Sequence, residues 1–291
     1  MTGNAALGGR LTKRGLTMGV ALALLLAGVF GVTAFTPGTS SAYTARITNN
    51  TDTAATAAFF TCTAAATSDR GSSVFQYYLN EASGSATASD SDGSASNGTY
   101  RGTMTSSTTT PIACPRDTGG AYTLNGSSSF ISTATAANNP TTFSEELWFK
   151  TGTAGGFLMG LGDAQTAQSN NKDRVIYLNT SGQLNFATYN GANQVITSPA
   201  SYADAKWHHV VATMSAGTGM RLYVDGVLVT SNTAFTTAQN FSGTWRIGYD
   251  SLVGWPAAPT NYYFTGSMRY AAVYSVVLSQ TQITNHYNAG K

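Results

Sequence analysis

Residues 206–229 read KWHHVVATMSAGTGMRLYVDGVLV, and their pattern decides the fold class. Trp207, His209 and Val211 alternate with His208, Val210 and Ala212, the period of two that marks a strand packed on a face. A polar, glycine-containing loop follows, and Met220 to Val224 alternate again. Asp225-Gly226 then stands between Val224 and Val227. A two-residue hairpin turn needs positive φ at both central residues, which this pair tolerates. The stretch is therefore predicted as strand, loop, strand, tight turn, strand.

Working outward, short strands recur with turn residues between them. Val74–Asn80 is the first, and Gly119–Leu124 and Ser129–Ser132 flank a hairpin turn at Asn125-Gly126. Phe143–Thr151 and Phe157–Gly162 are predicted to pair across a glycine-rich turn at 152–156. Asp173–Leu178 and Gln183–Tyr189 form the next hairpin, around 179–182. No helical period appears until the C-terminus, so the fold class is all-β, an antiparallel sandwich. The one helix there opens on Ser279 with Gln282, a capping-box spacing, sets Ile283 and Tyr287 on one face, and ends at Gly290.

These stretches resemble the laminin-G-like, concanavalin A-like lectin-glucanase jelly-roll family. WHHVV followed by LYVDG, FSEELWFKT at 143–151, WRIGYD at 245–250 and FTGSMRYAAVYSVVLSQTQITNHYNAG at 264–290 occur in the family's order. The resemblance covers residues 72–291 and implies a jelly roll closed by a C-terminal helix. It leaves function open, because one fold hosts many functions.

The N-terminus carries an address. Arg10, Lys13 and Arg14 lead into the uncharged run Leu16–Phe35, and Ser40-Ser41-Ala42 supplies small residues before a cut. Residues 1–42 are thus expected to be a signal peptide cleaved after Ala42, or, uncleaved, a membrane anchor helix. Either way the basic flank stays inside and the remainder is exported, secreted or held at the cell surface. Residues 43–71 are expected to form an N-terminal β arm, with strands at 43–48 and 57–62. Charged residues make up 10% of the chain, against roughly 25% in an ordinary soluble domain. Losing Arg10, Lys13 and Arg14 with the leader turns the formal charge from +2 to −1. Nucleic acid as a partner has no electrostatic footprint here. An even cysteine count in an exported chain points to a Cys62–Cys114 disulfide, two free thiols being the alternative.

Candidate chemistry is sparse. The fold superfamily includes glucanases, whose catalytic strand resembles Glu-x-Asp-x-Glu. This chain has Glu81, Glu145 and Glu146 only, and the adjacent pair must point to opposite faces of a strand. No enzyme signature is present. His208 and His209 point apart for the same reason and are read as packing residues, as is His286 on the helix. The resemblance points to calcium as the metal: an Asp opening a central strand holds it at the sandwich rim in laminin-G and neurexin-type relatives. Asp173 occupies a similar position, with a carbonyl near Asn190 and with Asp163 as a second candidate. The turn at Asp90, Asp92 and Gly93 reads either as a calcium loop or as a solvated Asx turn. Few acids are visible for a cation that takes six to eight oxygens.

The loop YDSLVGWPAAPTNYYF at 249–264 interrupts two strands and carries Trp255, Pro256, Tyr262 and Tyr263. Its rings either present stacking faces to a sugar, with Asp250, Asn261 and Asn190 bonding hydroxyls, or fold back to cap the sandwich. The function expected from these features is a non-catalytic, exported binding module that recognises carbohydrate or an extracellular protein at one rim. An envelope protein that assembles through the jelly roll is the alternative, and a glycoside hydrolase the third.

Overall fold

The computed structural model describes residues 57–291. The leader or anchor expected over 1–42 and the strand expected at 43–48 lie outside the described residues. No helix among the described residues is long and apolar enough to cross a membrane. The described residues open with α1 (Cys62–Ser68) and a 3-10 turn at Arg70–Ser72, followed by β1 (Ser73–Tyr77), β2 (Thr87–Ala88), β3 (Gly98–Arg101) and β4 (Thr105–Ser107). Next come β5 (Ala121–Asn125), β6 (Phe130–Asn138), β7 (Phe143–Lys150) and β8 (Gly156–Gly162). β9 (Lys172–Leu178), β10 (Gln183–Tyr189), β11 (Asn193–Ser201) and β12 (Trp207–Ser215) form the middle of the chain. β13 (Gly219–Val224), β14 (Val227–Asn232), β15 (Ser242–Ile247), β16 (Thr265–Tyr274) and α2 (Gln280–Gly290) complete it.

The strands form two antiparallel sheets. Sheet I runs β14-β13-β12-β7-β16-β5-β4, with β1 also on β16; sheet II runs β11-β10-β9-β8-β15-β6-β3-β2. The deciding stretch folds as read: β12, β13 and β14 are successive neighbours, and the turn between the last two has φ of 53° at Asp225 and 79° at Gly226. β9 and β10 pair as the predicted hairpin. The C-terminal capping box is present, with the Ser279 hydroxyl and the Gln282 side chain each serving the other's backbone.

Three local expectations are corrected. Asn125-Gly126 and the 152–156 turn do not close hairpins, because β5 and β7 belong to sheet I while β6 and β8 belong to sheet II. Both turns carry the chain from one sheet to the other. Residues 57–62 form no strand; Thr61 instead caps α1, its hydroxyl accepting from the Ala64 N–H at 3.1 Å. The Asp117 carboxylate also receives the Cys62 and Thr63 N–H groups, at 2.8 and 3.1 Å. These bonds satisfy donors that a helix start otherwise leaves open.

Alternation divides the side chains. Phe143, Leu147 and Phe149 of β7 face the space between the sheets, where they meet Ile176, Leu178, Phe186, Trp245 and Ile247. Glu146 and Trp148 point the other way, under α1 and α2. The outer face of sheet II is covered too: Phe157, Val175, Tyr177 and Ala187 lie beneath Leu252 and Trp255. The chain is therefore layered beyond a bare sandwich, with helices on one outer face and the 248–264 loop on the other. The Cys62–Cys114 disulfide is formed and ties α1 to the segment before β5.

Candidate functional site

Antiparallel neighbours alternate in direction, so the end of β8, the start of β9, the end of β10 and the start of β11 share one rim of sheet II. The loop joining β8 to β9 is shaped by Asp163, whose carboxylate accepts from the Asn170 and Asn171 N–H groups and the Asn171 amide, each at 2.9 Å. Asp250, fully buried, holds the same loop through the Ser169 N–H at 2.8 Å and hydroxyl at 2.7 Å. The 248–264 loop then crosses the sheet. Tyr177 donates to the Pro256 carbonyl at 2.6 Å, and Asn193 donates to the Gly254 carbonyl at 2.8 Å.

Where these loops meet the β14–β15 connection, they leave an open cleft of about 360 Å³. Its walls are Asn170, Asn171, Lys172, Tyr189, Asn193, Gln239, Val253, Gly254 and Trp255. Tyr189 and Val253 are 38% and 57% exposed and offer apolar surface. The rest of the wall is mainly amide, with one ammonium. Such a wall can take hydroxyls as donors or acceptors while an apolar ring face rests on Tyr189.

The structure brings only part of the sequence-marked set to this cleft. Trp255 lines it but is 7% exposed, its ring laid on the sheet, so the folded-back alternative describes its main role. Asp250 sits behind the wall with both oxygens committed. Asn190 is exposed beside Tyr189 but donates to the Thr237 hydroxyl at 2.8 Å. Tyr262 and Asn261 lie elsewhere: the Tyr262 carbonyl accepts from the Phe157 N–H, and the Asn261 amide donates to the Gly126 carbonyl. Tyr189, Asn193, Lys172, Gln239 and the Asn170–Asn171 pair were missed. The polar run SNNK between β8 and β9 was the available signal.

The carboxylates marked for calcium face donors. Asp173 is buried and accepts from the Arg174 N–H at 2.6 Å and the Tyr189 N–H at 3.3 Å, with the Arg174 guanidinium at 3.4 Å. Burial pushes it up to about 6 against the lowering pull of Arg174. A cation here, or at Asp163, would stand among N–H dipoles, so these residues do not fit calcium. Asp90 likewise accepts from the Gln76, Asp92 and Ser96 N–H groups and the Ser94 hydroxyl, which makes that segment an Asx-type turn.

The histidines pair with acids. His208 contacts Asp225 at 2.8 Å and Asp204 at 3.0 Å. On the outer face of sheet I, His209 donates to Glu146 at 2.6 Å, and His286 bridges Glu146 at 2.8 Å and Asp69 at 2.9 Å. Both ring nitrogens of His286 thus donate to carboxylates, which defines an imidazolium. Burial opposes that charge, but Glu146 and Asp69 outweigh it and hold His286 up at about 10. Burial also raises Glu146, yet the charge of His286 and the histidine hydrogen bonds draw it far below the usual range. Glu145, on the opposite face, is fully buried with no hydrogen-bond partner for its carboxyl among the described residues, and desolvation raises it well above the ordinary value. Glu81 accepts from the Ser89 N–H and the Tyr100 hydroxyl. None of the three glutamates lines the cleft.

The two-sheet antiparallel jelly roll with its C-terminal helix is the frame in which this cleft sits. Residues 124–284 match the concanavalin A-like lectin/glucanases superfamily, and the chain belongs to that superfamily. No curated protein matches it significantly. Among solved structures it is similar to botulinum neurotoxin type C, whose cell entry is dependent upon interaction with two ganglioside molecules (14% identity, TM-score 0.54, 76% of this chain and 52% of that one). The binding domain of botulinum neurotoxin DC in complex with rat synaptotagmin II is similar at 16% identity, TM-score 0.54, over 76% and 52%. The binding domain of Paraclostridial Mosquitocidal Protein 1 is similar at 13% identity, TM-score 0.55, over 75% and 52%. These likenesses show the fold, and this chain spans about half the length of each structure.

Proposed function

We propose that the chain is an exported, non-catalytic binding module that takes a carbohydrate in the rim cleft, with residues 1–42 as its leader or anchor. The observation that carries this reading is the cleft wall itself, in which Asn170, Asn171, Asn193 and Gln239 line the same cleft as the part-exposed Tyr189. The disulfide supports a place outside the cytoplasm, where thiols are not kept reduced. The binding domain of botulinum neurotoxin DC in complex with SialylT shares the fold over about half of its own length, a likeness that supports a binding role. On a glycan array the full chain is expected to bind discrete saccharides, and Tyr189→Ala is expected to weaken that binding about tenfold, or about 1.4 kcal/mol. Saccharide binding indifferent to Tyr189→Ala would remove the cleft from the proposal.

A second reading, assembly through the jelly roll, draws on β14. It is the outer strand of sheet I, and its Val227 and Leu228 are 61% and 42% exposed. An exposed apolar edge strand is a template for pairing with another chain unless charge, proline, a bulge or a covering element blunts it. Concentration-dependent self-association abolished by Val227→Lys would select this reading. A monomer at every concentration would discard it.

A further inference from the structure

We infer that the rim cleft selects acidic saccharides, and that the Lys172 ammonium receives the anionic group. This rests on the saccharide reading above and goes beyond it in naming the ligand's charge. Lys172 opens β9 at the cleft wall and is the one charged side chain among the residues that line it. Its ammonium reaches only the Asn170 carbonyl, at 3.5 Å, and forms no salt bridge among the described residues.

The acids around Lys172 are spoken for by other donors. Asp163 receives two backbone N–H groups and one amide of its own loop. Asp250 receives the Ser169 and Ser251 N–H groups and the Ser169 hydroxyl, and lies 4.0 Å from the Arg246 guanidinium. Asp173 is turned onto the Arg174 and Tyr189 N–H groups. Lys172 therefore lines the cleft with no carboxylate within salt-bridge distance among the described residues, while the neighbouring acids are satisfied by other donors. The half-buried position costs the ammonium hydration, and burial draws it below the ordinary lysine value against the pull of Asp250 and Asp163. An incoming anion restores what that position has taken away. A lysine acts as a point charge, so a carboxylate and a sulfate serve equally; the flanking amides would hold the hydroxyls beside either.

The test compares three oligosaccharides of matched length on the full chain: a galacturonate, its carboxyl-reduced counterpart and a sulfated galactan. Both acidic oligomers are expected to bind at least ~10-fold tighter than the neutral one at low salt, and the gap should shrink as salt rises. Lys172→Gln should bring acidic binding down towards the neutral level, while Lys172→Arg keeps the preference. If wild type binds neutral and acidic oligomers alike, the inference is overturned and the saccharide reading stands. A preference that survives Lys172→Gln overturns it equally, since the anion is then read elsewhere. If no oligomer binds while the glycan array shows other saccharides held through Tyr189, the inference falls and the saccharide reading stands.

Discussion

Replacing His286 by Ala is expected to lower the unfolding free energy by about 3–5 kcal/mol, the range for breaking a buried ion pair from one side. The size follows from what is left behind. Glu146 is 5% exposed and would keep a charge facing the empty site, with His209 and the Tyr274 hydroxyl left to donate to it. Asp69 would lose one of its two bonds to α2 and keep the other, from the Gln282 amide at 2.7 Å. Glu146→Gln in the same background should recover part of the loss, because the stranded charge is gone; urea melts of the single and double variants measure this coupling.

The pH arm of this prediction has a fixed sign. His286 is raised in the folded state, so its contribution is complete below the unfolded value near 6.5 and disappears as pH rises through about 10. Wild-type stability should fall along that limb with a slope approaching 1.4 kcal/mol per pH unit, and His286→Ala should be flatter there. Glu146 and Asp69 are lowered, so their share is present above their unfolded values and is lost in acid. An alkaline limb identical in wild type and variant would refute the imidazolium.

Replacing both Cys62 and Cys114 by Ser is expected to cost about 4 kcal/mol, the chain-entropy value for a loop of this length. The sulfur atoms also fill a packed junction. Cys114 donates its N–H to the Gly290 carbonyl at 2.8 Å, and a Cβ placed on Gly290 would lie 3.0 Å from the Cys62 sulfur and closer still to the Trp148 ring. Arg116 binds the Ala289 carbonyl at 2.8 Å at the same place. Limited proteolysis of the double variant should cut first near α1, ahead of the sandwich. Protection of α1 equal to wild type, with unchanged melting, would show that the surrounding packing suffices without the bond.

Much of the fold was legible because its signals are local. Asp225-Gly226 specifies its turn through φ, and Ser279 with Gln282 specifies a helix start. Alternation marks β12, β13 and β14 as strands, although the register shift between Leu222 and Tyr223 in the β13–β14 pairing leaves no trace in it. What was misread needed information from afar. A turn such as Asn125-Gly126 reverses the chain whether the next strand stays in the sheet or leaves it, so turn chemistry cannot distinguish a hairpin from a crossover. Ala57–Cys62 was too short for its apolar pattern to separate strand from helix; the Thr61 cap and the Asp117 carboxylate decided it. The Asp69–His286–Glu146 chain spans sequence separations of 217 and 140, beyond any motif. The cleft was illegible for the same reason, since its amides arrive from separate loops.

The loop crossing sheet II gives the protein a division of labour. Because Trp255 and Leu252 seal the outer face, β8, β9 and β10 are buried on both sides and have little freedom to vary. The cleft residues mostly sit on connecting segments and strand ends, where exchanges disturb little packing. The cleft wall of such a chain can drift among descendants while the scaffold stays still, and new connections between β8 and β9 can be grafted without disturbing the packed strands.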